Sequence, residues 1–284
     1  MNRTKAIGLI RLLRFELPFA AGVCVILGEF LAAGTVPGFS HLALGFFSFF
    51  FISAAALTLN DYFDYDIDLV NAPGRPLPAG LVTKGEVVAF SIVLTLLGLL
   101  SSALISIPAM LVVIAVWMVG LAYNWRLKRT GLIGNLMVSF SVGMTFIFGG
   151  IVVGHPADGV VWWFGLLTML IDLGEEIAAD AMDIQGDALV GSRSLGIVLG
   201  PRKALRISAA IFGTVVLVSI IPFLLRWVEP VYLWPILLMD VGILYSTARL
   251  LNPRTQTPRR YIRWIYLSGL LAILVLIVMR LIGR

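Results

Sequence analysis

The stretch Asn60 to Gly80, NDYFDYDIDLVNAPGRPLPAG, decides how this chain is read: a hydrophobic run ends there and Asp61, Asp64, Asp66 and Asp68 arrive within eight residues. At about 100° per residue of α-helix, Asn60, Asp61, Asp64 and Asp68 fall within an arc of roughly 100°, while Asp66 points the other way. Acids stacked on one face repel each other unless a cation sits among them, so the spacing asks for a divalent metal or a strongly basic partner. The plain alternative is a solvated helix end followed by the helix-breaking Pro73, Pro76 and Pro78. An EF-hand does not fit, because Leu69 stands where its loop needs glycine and Arg75 where it needs a bidentate glutamate.

Outward from this stretch, the chain is 60% hydrophobic and 13% charged, with a mean hydropathy of +0.99. That is far outside the range of soluble domains and predicts an all-α, polytopic membrane protein. Nine apolar segments stand out, at about 15–34, 41–59, 86–106, 107–124, 132–153, 160–178, 205–225, 230–249 and 262–282. Each is long enough, or nearly so, to cross a hydrocarbon core of roughly 30 Å. Lys and Arg gather in alternate loops, as the positive-inside rule requires of real spans. With the N-terminus cytoplasmic, 18 of the 21 basic residues lie inside, leaving Arg226, Arg280 and Arg284 outside. The net charge of +5 is therefore topological and gives no hint of nucleic-acid binding. The N-terminal run is too long, and lacks the A-x-A-like closing site, to read as a cleaved signal peptide. Cys24 stands alone, which excludes an intrachain disulfide and a cysteine-based metal site.

A second acid cluster, DLGEEIAADAMDIQGD, closes the sixth segment. Measured from Glu176, the side chains of Asp180, Asp183 and Asp187 lie within an arc of about 60°, Asp172 lies one turn below, and Glu175 is expected to face elsewhere. Matching Asp61 with Asp180 places the clusters 119 residues apart, each at the inner end of the second helix of a four-helix half. This predicts a single domain over 1–284, with two four-helix halves plus a ninth helix around a central cavity. The two clusters hold ten of the sixteen acids, and ionised carboxylates in or beside a span cost at least about 2.5 kcal/mol each, so the concentration needs a reason. The second and sixth segments carry no basic residue on the acid faces, which argues against a purely structural network and for a metal.

Mg²⁺ prefers oxygen ligands and is usually shared between one or two carboxylates and substrate phosphates. Arg75, Lys128 and Arg193, in the inner loops, are placed to neutralise the remaining phosphate charge. The rest of such a cavity would be apolar helix, which suits a substrate with a diphosphate head and a long hydrocarbon tail.

The run NDxxDxxxD at Asn60 to Asp68, the second DxxxD at Asp183 to Asp187 and the loop N-x-P-x-R-P-L-P-x-G at Asn71 to Gly80 resemble the UbiA superfamily of intramembrane prenyltransferases, along the whole chain. The resemblance implies nine transmembrane helices around a central cavity, two aspartate-rich motifs that bind Mg²⁺ and a prenyl diphosphate, and a site mouth on the cytoplasmic side. It implies metal ligation by Asn60, Asp61, Asp64 and Asp68 on one side and Asp180, Asp183 and Asp187 on the other, with catalytic weight on Asp64, Asp68, Asp183, Asp187 and Lys128. Lys128 resembles the family's diphosphate-contacting lysine and Arg75 the arginine of the motif loop. Tyr123, Arg193 and Asn60 are further substrate-binding candidates, and Arg11 corresponds to a helix-one arginine for which Arg14 competes.

The segment Glu176, Ile177, Asp180, Asp183, Gly186, Asp187 is similar to the E-I-x-x-D-x-x-D-x-x-G-D of an archaeal branch that transfers geranylgeranyl to geranylgeranylglyceryl phosphate, a membrane-lipid acceptor. An aromatic, quinone-precursor acceptor is the alternative within the family. A secondary transporter would show inverted repeats and helices broken at mid-depth, whereas these halves are parallel. A CDP-alcohol phosphotransferase would carry a D-G-x-x-A-R opening, which is absent. His41 and His155 read as surface polar residues by outer loops, Asp240 as a buried hydrogen-bonded residue, and most tryptophans as interface anchors.

Overall fold

The computed structural model describes residues 3–189 and 191–283; Arg284, counted above among the outer basic residues, lies outside them. In chain order the helices are α1 (Arg3–Leu12), α2 (Glu16–Ala33), α3 (Phe39–Phe63), α4 (Tyr65–Asn71), α5 (Lys84–Ala103), α6 (Ile107–Trp125), α7 (Leu132–Val152), α8 (Gly159–Asp180), α9 (Ile184–Leu189), α10 (Leu195–Leu199), α11 (Pro201–Val218), α12 (Ile221–Leu224), α13 (Leu233–Leu251) and α14 (Pro258–Ile282), with 3₁₀ turns at Leu127–Thr130 and Pro230–Tyr232. The nine apolar segments coincide with the long helices, whose ends are set by local chemistry. Ser106 and Asp158 accept backbone N–H groups at the starts of α6 and α8, and a reciprocal Thr83–Glu86 capping box opens α5.

Among the described residues, eight helices are long and apolar enough to cross a membrane. The chain is thus an all-helical, multi-pass membrane protein. The remaining long helix, α8, spans 22 residues but carries Asp172, Glu175, Glu176 and Asp180. Large apolar side chains point outward along the spans, among them Leu96, Leu100, Leu217, Leu238, Leu271 and Val278, as expected where the surrounding solvent is lipid. Four helices fall outside every predicted segment, α1, α4, α9 and α10. Of these, α1 lies before the first span and packs Leu12 against Leu77, Val82 and Val87, with Lys5 bonded to Glu86 at 2.6 Å.

The long helices follow one another around a ring, in the order α2, α3, α5, α6, α7, α8, α11, α13, α14, and α14 closes back onto α2 and α8. Across the ring, α2 also packs directly on α7. That crossing is close because it runs through glycines: a Cβ at Gly149 would stand 2.6 Å from the Glu29 backbone nitrogen, and one at Gly28 would stand 3.0 Å from Phe146 Cα. A repeated contact marks two similar helix pairs. Ser91 on α5 donates to the Ala55 carbonyl of α3 at 3.1 Å, and Ser208 on α11 donates to the Gly174 carbonyl of α8 at 2.7 Å. Asp240 is buried on α13 and accepts from Ser219 at 2.8 Å.

Candidate active site

The first aspartate run straddles a break in helix geometry. At Asp64 (φ −90°, ψ 3°) the backbone leaves the helical region, its N–H capping the Asn60 carbonyl, and the chain restarts as α4. The break is only one residue long, so the facing predicted from the helical period survives it: Asp61, Asp64 and Asp68 are buried and Asp66 is exposed.

Each of the three buried carboxylates meets a cation from another element. The Arg14 guanidinium, between α1 and α2, bonds Asp61. Arg75, in the loop after α4, bonds Asp68 at 2.5 Å and stands 3.8 Å from Asp61. Lys128, in the 3₁₀ turn after α6, lies 2.5 Å from both oxygens of Asp64. The second and sixth segments carry no basic residue on these faces, as expected, yet the first run is paired and so forms an ion-pair network of the kind that bare faces alone argue against. A helix need not carry its own counter-charges, because loops brought back by the fold supply them.

The second cluster is held differently. Asp180 accepts from Asn135 of α7 at 2.9 Å and from the Leu195 backbone at 3.3 Å, and Asp172 accepts from Ser139 of α7 at 2.8 Å. Arg259, at the start of α14, bonds Asp183 at an exposed position. Burial pushes the Asp187 carboxyl above the ordinary aspartate range, the neighbouring Asp183 adds to the push, and the Lys128 charge opposes it. Lys128 therefore touches the first cluster and acts electrostatically on the second. Tyr123 likewise has Asp64 of one cluster and Asp172, Glu176 and Asp180 of the other as its charged neighbours.

Other predicted residues are placed as follows. Asn60 donates to Asn124 at 3.0 Å, and Asn124 donates to the Ala56 carbonyl of α3 at 3.0 Å. Asn124 went unremarked in the sequence, although an amide at the end of an apolar span was the available signal. Arg11 is exposed and bonds the Gly74 carbonyl, so of the two competing arginines it is Arg14 that reaches an aspartate. Arg193 is exposed, and its backbone N–H bonds the Arg129 carbonyl at 2.9 Å. Gly131 permits this stitch between two loops: its φ is +70°, and a Cβ there would stand 2.8 Å from the Arg193 carbonyl carbon.

A cavity of about 770 Å³ opens between the start of α2, the end of α8 and the start of α14, lined by Arg14, Glu16, Glu175, Asp183, Arg259 and Tyr266 among others. Glu175 and Asp183 share it, contrary to the expectation that Glu175 faces away from the acid stripe. The reason is that α8 ends at Asp180, so Asp183 lies in the following turn and no longer obeys the helical period. A smaller hollow of about 180 Å³ lies between Phe63, Asp64, Asn124, Arg126, Lys128 and Arg129.

Among the described residues, no three His, Cys, Asp or Glu side chains converge as a ready metal cage. The donor chemistry nonetheless fits a hard divalent cation. Every candidate ligand offers oxygen, the first three carboxylates already attract positive charge, and Asp64 presents both of its oxygens to one ammonium group.

The UbiA prenyltransferase family matches residues 21–270. The chain is 32% identical over 212 residues to digeranylgeranylglyceryl phosphate synthase of Pyrococcus furiosus, covering 75% of this chain and 76% of that one. A solved structure of digeranylgeranylglyceryl phosphate synthase in membranes is 29% identical, superposes with a TM-score of 0.77, and covers 97% of this chain and 98% of its own. A UbiA homolog from Archaeoglobus fulgidus bound to GPP and Mg²⁺ shares the fold, with a TM-score of 0.69 at 20% identity over 95% of this chain and 99% of that one. With aspartate runs where α3 and α8 end and a family match over most of its length, the chain belongs to the UbiA prenyltransferase family.

Proposed function

We propose that this chain transfers a geranylgeranyl group from its diphosphate to the free hydroxyl of geranylgeranylglyceryl phosphate, an ether-forming step of archaeal membrane-lipid synthesis that depends on Mg²⁺. One observation supports this reading of the site: Lys128 bonds Asp64 of the first run and its charge also bears on Asp187 of the second, as expected if both runs face one diphosphate. The acceptor follows from the similarity to digeranylgeranylglyceryl phosphate synthases.

In this reading, Asn60, Asp61, Asp64 and Asp68 hold one metal and Asp180, Asp183 and Asp187 the other. Mg²⁺ bound there would shield the diphosphate and make it a better leaving group. Lys128 and Arg75 turn from Asp64 and Asp68 to the phosphate oxygens, offering charge-assisted hydrogen bonds to a group whose negative charge grows as it departs. Tyr123 lines the mouth between the two runs. Apolar helix keeps water from the allylic carbon, so that carbon one is captured by the acceptor oxygen. Arg193 is assigned to the acceptor phosphate.

The architecture proposed is a single domain of nine transmembrane helices, α8 being the ninth, in two four-helix halves plus α14 around a central cavity. Its N-terminus and site mouth face the cytoplasm. Cysteines introduced at Asp158 and Thr255 should label from opposite sides of the membrane, the native Cys24 being buried. Labelling from one side would refute the span count.

The test of function is a panel assay of purified protein with prenyl diphosphates of several lengths, offered with geranylgeranylglyceryl phosphate or with 4-hydroxybenzoate. Transfer to the glyceryl phosphate alone is expected, and turnover of the aromatic acid alone would overturn the acceptor assignment. In the same assay, Arg193→Ala should raise KM for the acceptor several-fold while leaving KM for the diphosphate nearly unchanged. Equal effects would move Arg193 to the leaving group.

A further inference from the structure

Two polar groups in the 770 Å³ cavity have no role in the site as described so far. Glu175 Oε1 and Tyr266 Oη are both buried and make no hydrogen bond, and both residues line this cavity from facing helices, α8 and α14. Most polar atoms shielded from water have a partner, and an ionisable side chain within a span marks function by default. Two such groups on one hollow need a common explanation. The hollow's chemistry supplies it. Phe15, Leu17, Met182 and Ile262 give it apolar walls, while Arg259 and Arg263 place cationic groups at its rim. Asp183, assigned above to a metal, lies on the same wall as Glu175. An alcohol with an apolar tail fits these walls, with its hydroxyl among the unpartnered oxygens.

We propose that Glu175 is the proton acceptor for the acceptor alcohol and that Tyr266 is the positioning residue that orients the same hydroxyl. The proposal rests on the prenyl-transfer reading and deepens it, since nothing above removes the acceptor's proton. The hydroxyl hydrogen passes to a Glu175 carboxylate oxygen. The hydroxyl oxygen forms the new C–O bond to carbon one of the prenyl group, and the old C–O bond breaks with its electron pair leaving on the diphosphate. Glu175 is then returned to its carboxylate by proton release through the open cavity. The carboxylates of the two aspartate runs are poorly suited to this task, because cations or hydrogen-bond donors already occupy those of Asp61, Asp64, Asp68, Asp180 and Asp183.

A group that acts only on the acceptor should be dispensable for cleaving the donor. The test therefore compares wild type, Glu175→Gln, Glu175→Asp and Tyr266→Phe in lipid vesicles by two readouts: Mg²⁺-dependent cleavage of geranylgeranyl diphosphate without acceptor, and transfer to geranylgeranylglyceryl phosphate. Glu175→Gln should lower kcat for transfer by about 100-fold or more, the range typical of a lost general base, and leave acceptor-free cleavage within about twofold of wild type. Glu175→Asp should recover part of the loss. Tyr266→Phe should cost about tenfold in transfer, mostly through KM for the acceptor. Retained transfer in Glu175→Gln would overturn the proposal while leaving the reaction assignment standing, and so would loss of cleavage together with transfer, which would place Glu175 in the scaffold or at the metal. If wild type cleaves the diphosphate but does not transfer to this acceptor, the underlying reading falls and takes the proposal with it.

Discussion

Where α3 passes into α4, three buried aspartates meet three cations; 119 residues later (61 to 180, 64 to 183, 68 to 187), aspartates at the same spacing bond only one among the described residues. The partners differ. Arg14 precedes α2 and bonds Asp61, whereas Asn135, in the first turn of α7, bonds Asp180. Lys128 follows α6 and bonds Asp64, whereas Arg259 follows α13 and bonds Asp183. Arg75 stands seven residues after Asp68, and the residue seven after Asp187 is Ser194. Two regions of one design thus differ in charge. The first is paired with basic side chains, and the second has fewer basic partners among the described residues, with Asp172, Glu175 and Glu176 on the same helix. The second should therefore gain more from a bound divalent cation, while the first supplies the positive groups that a diphosphate needs.

The largest expected effect lies on what both regions share. Chelation of Mg²⁺ should abolish turnover, and Asp64→Ala and Asp183→Ala should each lower kcat by at least about 100-fold, measured as prenyl transfer in detergent. Full activity in chelator would remove the metal from the account. An effect confined to one of the two variants would break the pairing of the regions.

A smaller effect separates them. Asp61→Asn strips Arg14 of its carboxylate in a setting where Asp61 is only 1% exposed, and should cost about 2 kcal/mol of stability. Asp180→Asn still offers an oxygen to Asn135 and to the Leu195 N–H and removes one charge from an acidic crowd, so it should be neutral within about 0.5 kcal/mol. Thermal unfolding in detergent without divalent cation reads both. Equal losses at the two positions would mean that the charge difference has no energetic weight.

Much of this was legible in the sequence. Among the described residues, each apolar segment coincides with a long helix, and eight of these helices are long and apolar enough to cross a membrane, because lipid imposes one simple demand on every span. The burial of Asp61, Asp64 and Asp68 opposite Asp66 was also legible, since a one-residue break barely disturbs the helical period. The partners were not. Arg14 on Asp61, Lys128 on Asp64 and Arg259 on Asp183 join residues from 47 to 76 positions apart through loops whose path no periodicity encodes. Glu175 was misplaced for a related reason: helical-wheel counting was carried past Asp180, where α8 stops.

The central claim, that the two aspartate runs close over one diphosphate through bound metal, is tested most directly by diffraction from the protein with Mn²⁺ and an unreactive thio-analogue of geranylgeranyl diphosphate. The account predicts anomalous peaks at Asp64–Asp68 and at Asp183–Asp187, with Lys128 moved from Asp64 onto a phosphate oxygen. Metal bound away from these residues, or an analogue bound while Lys128 still holds Asp64, would contradict it.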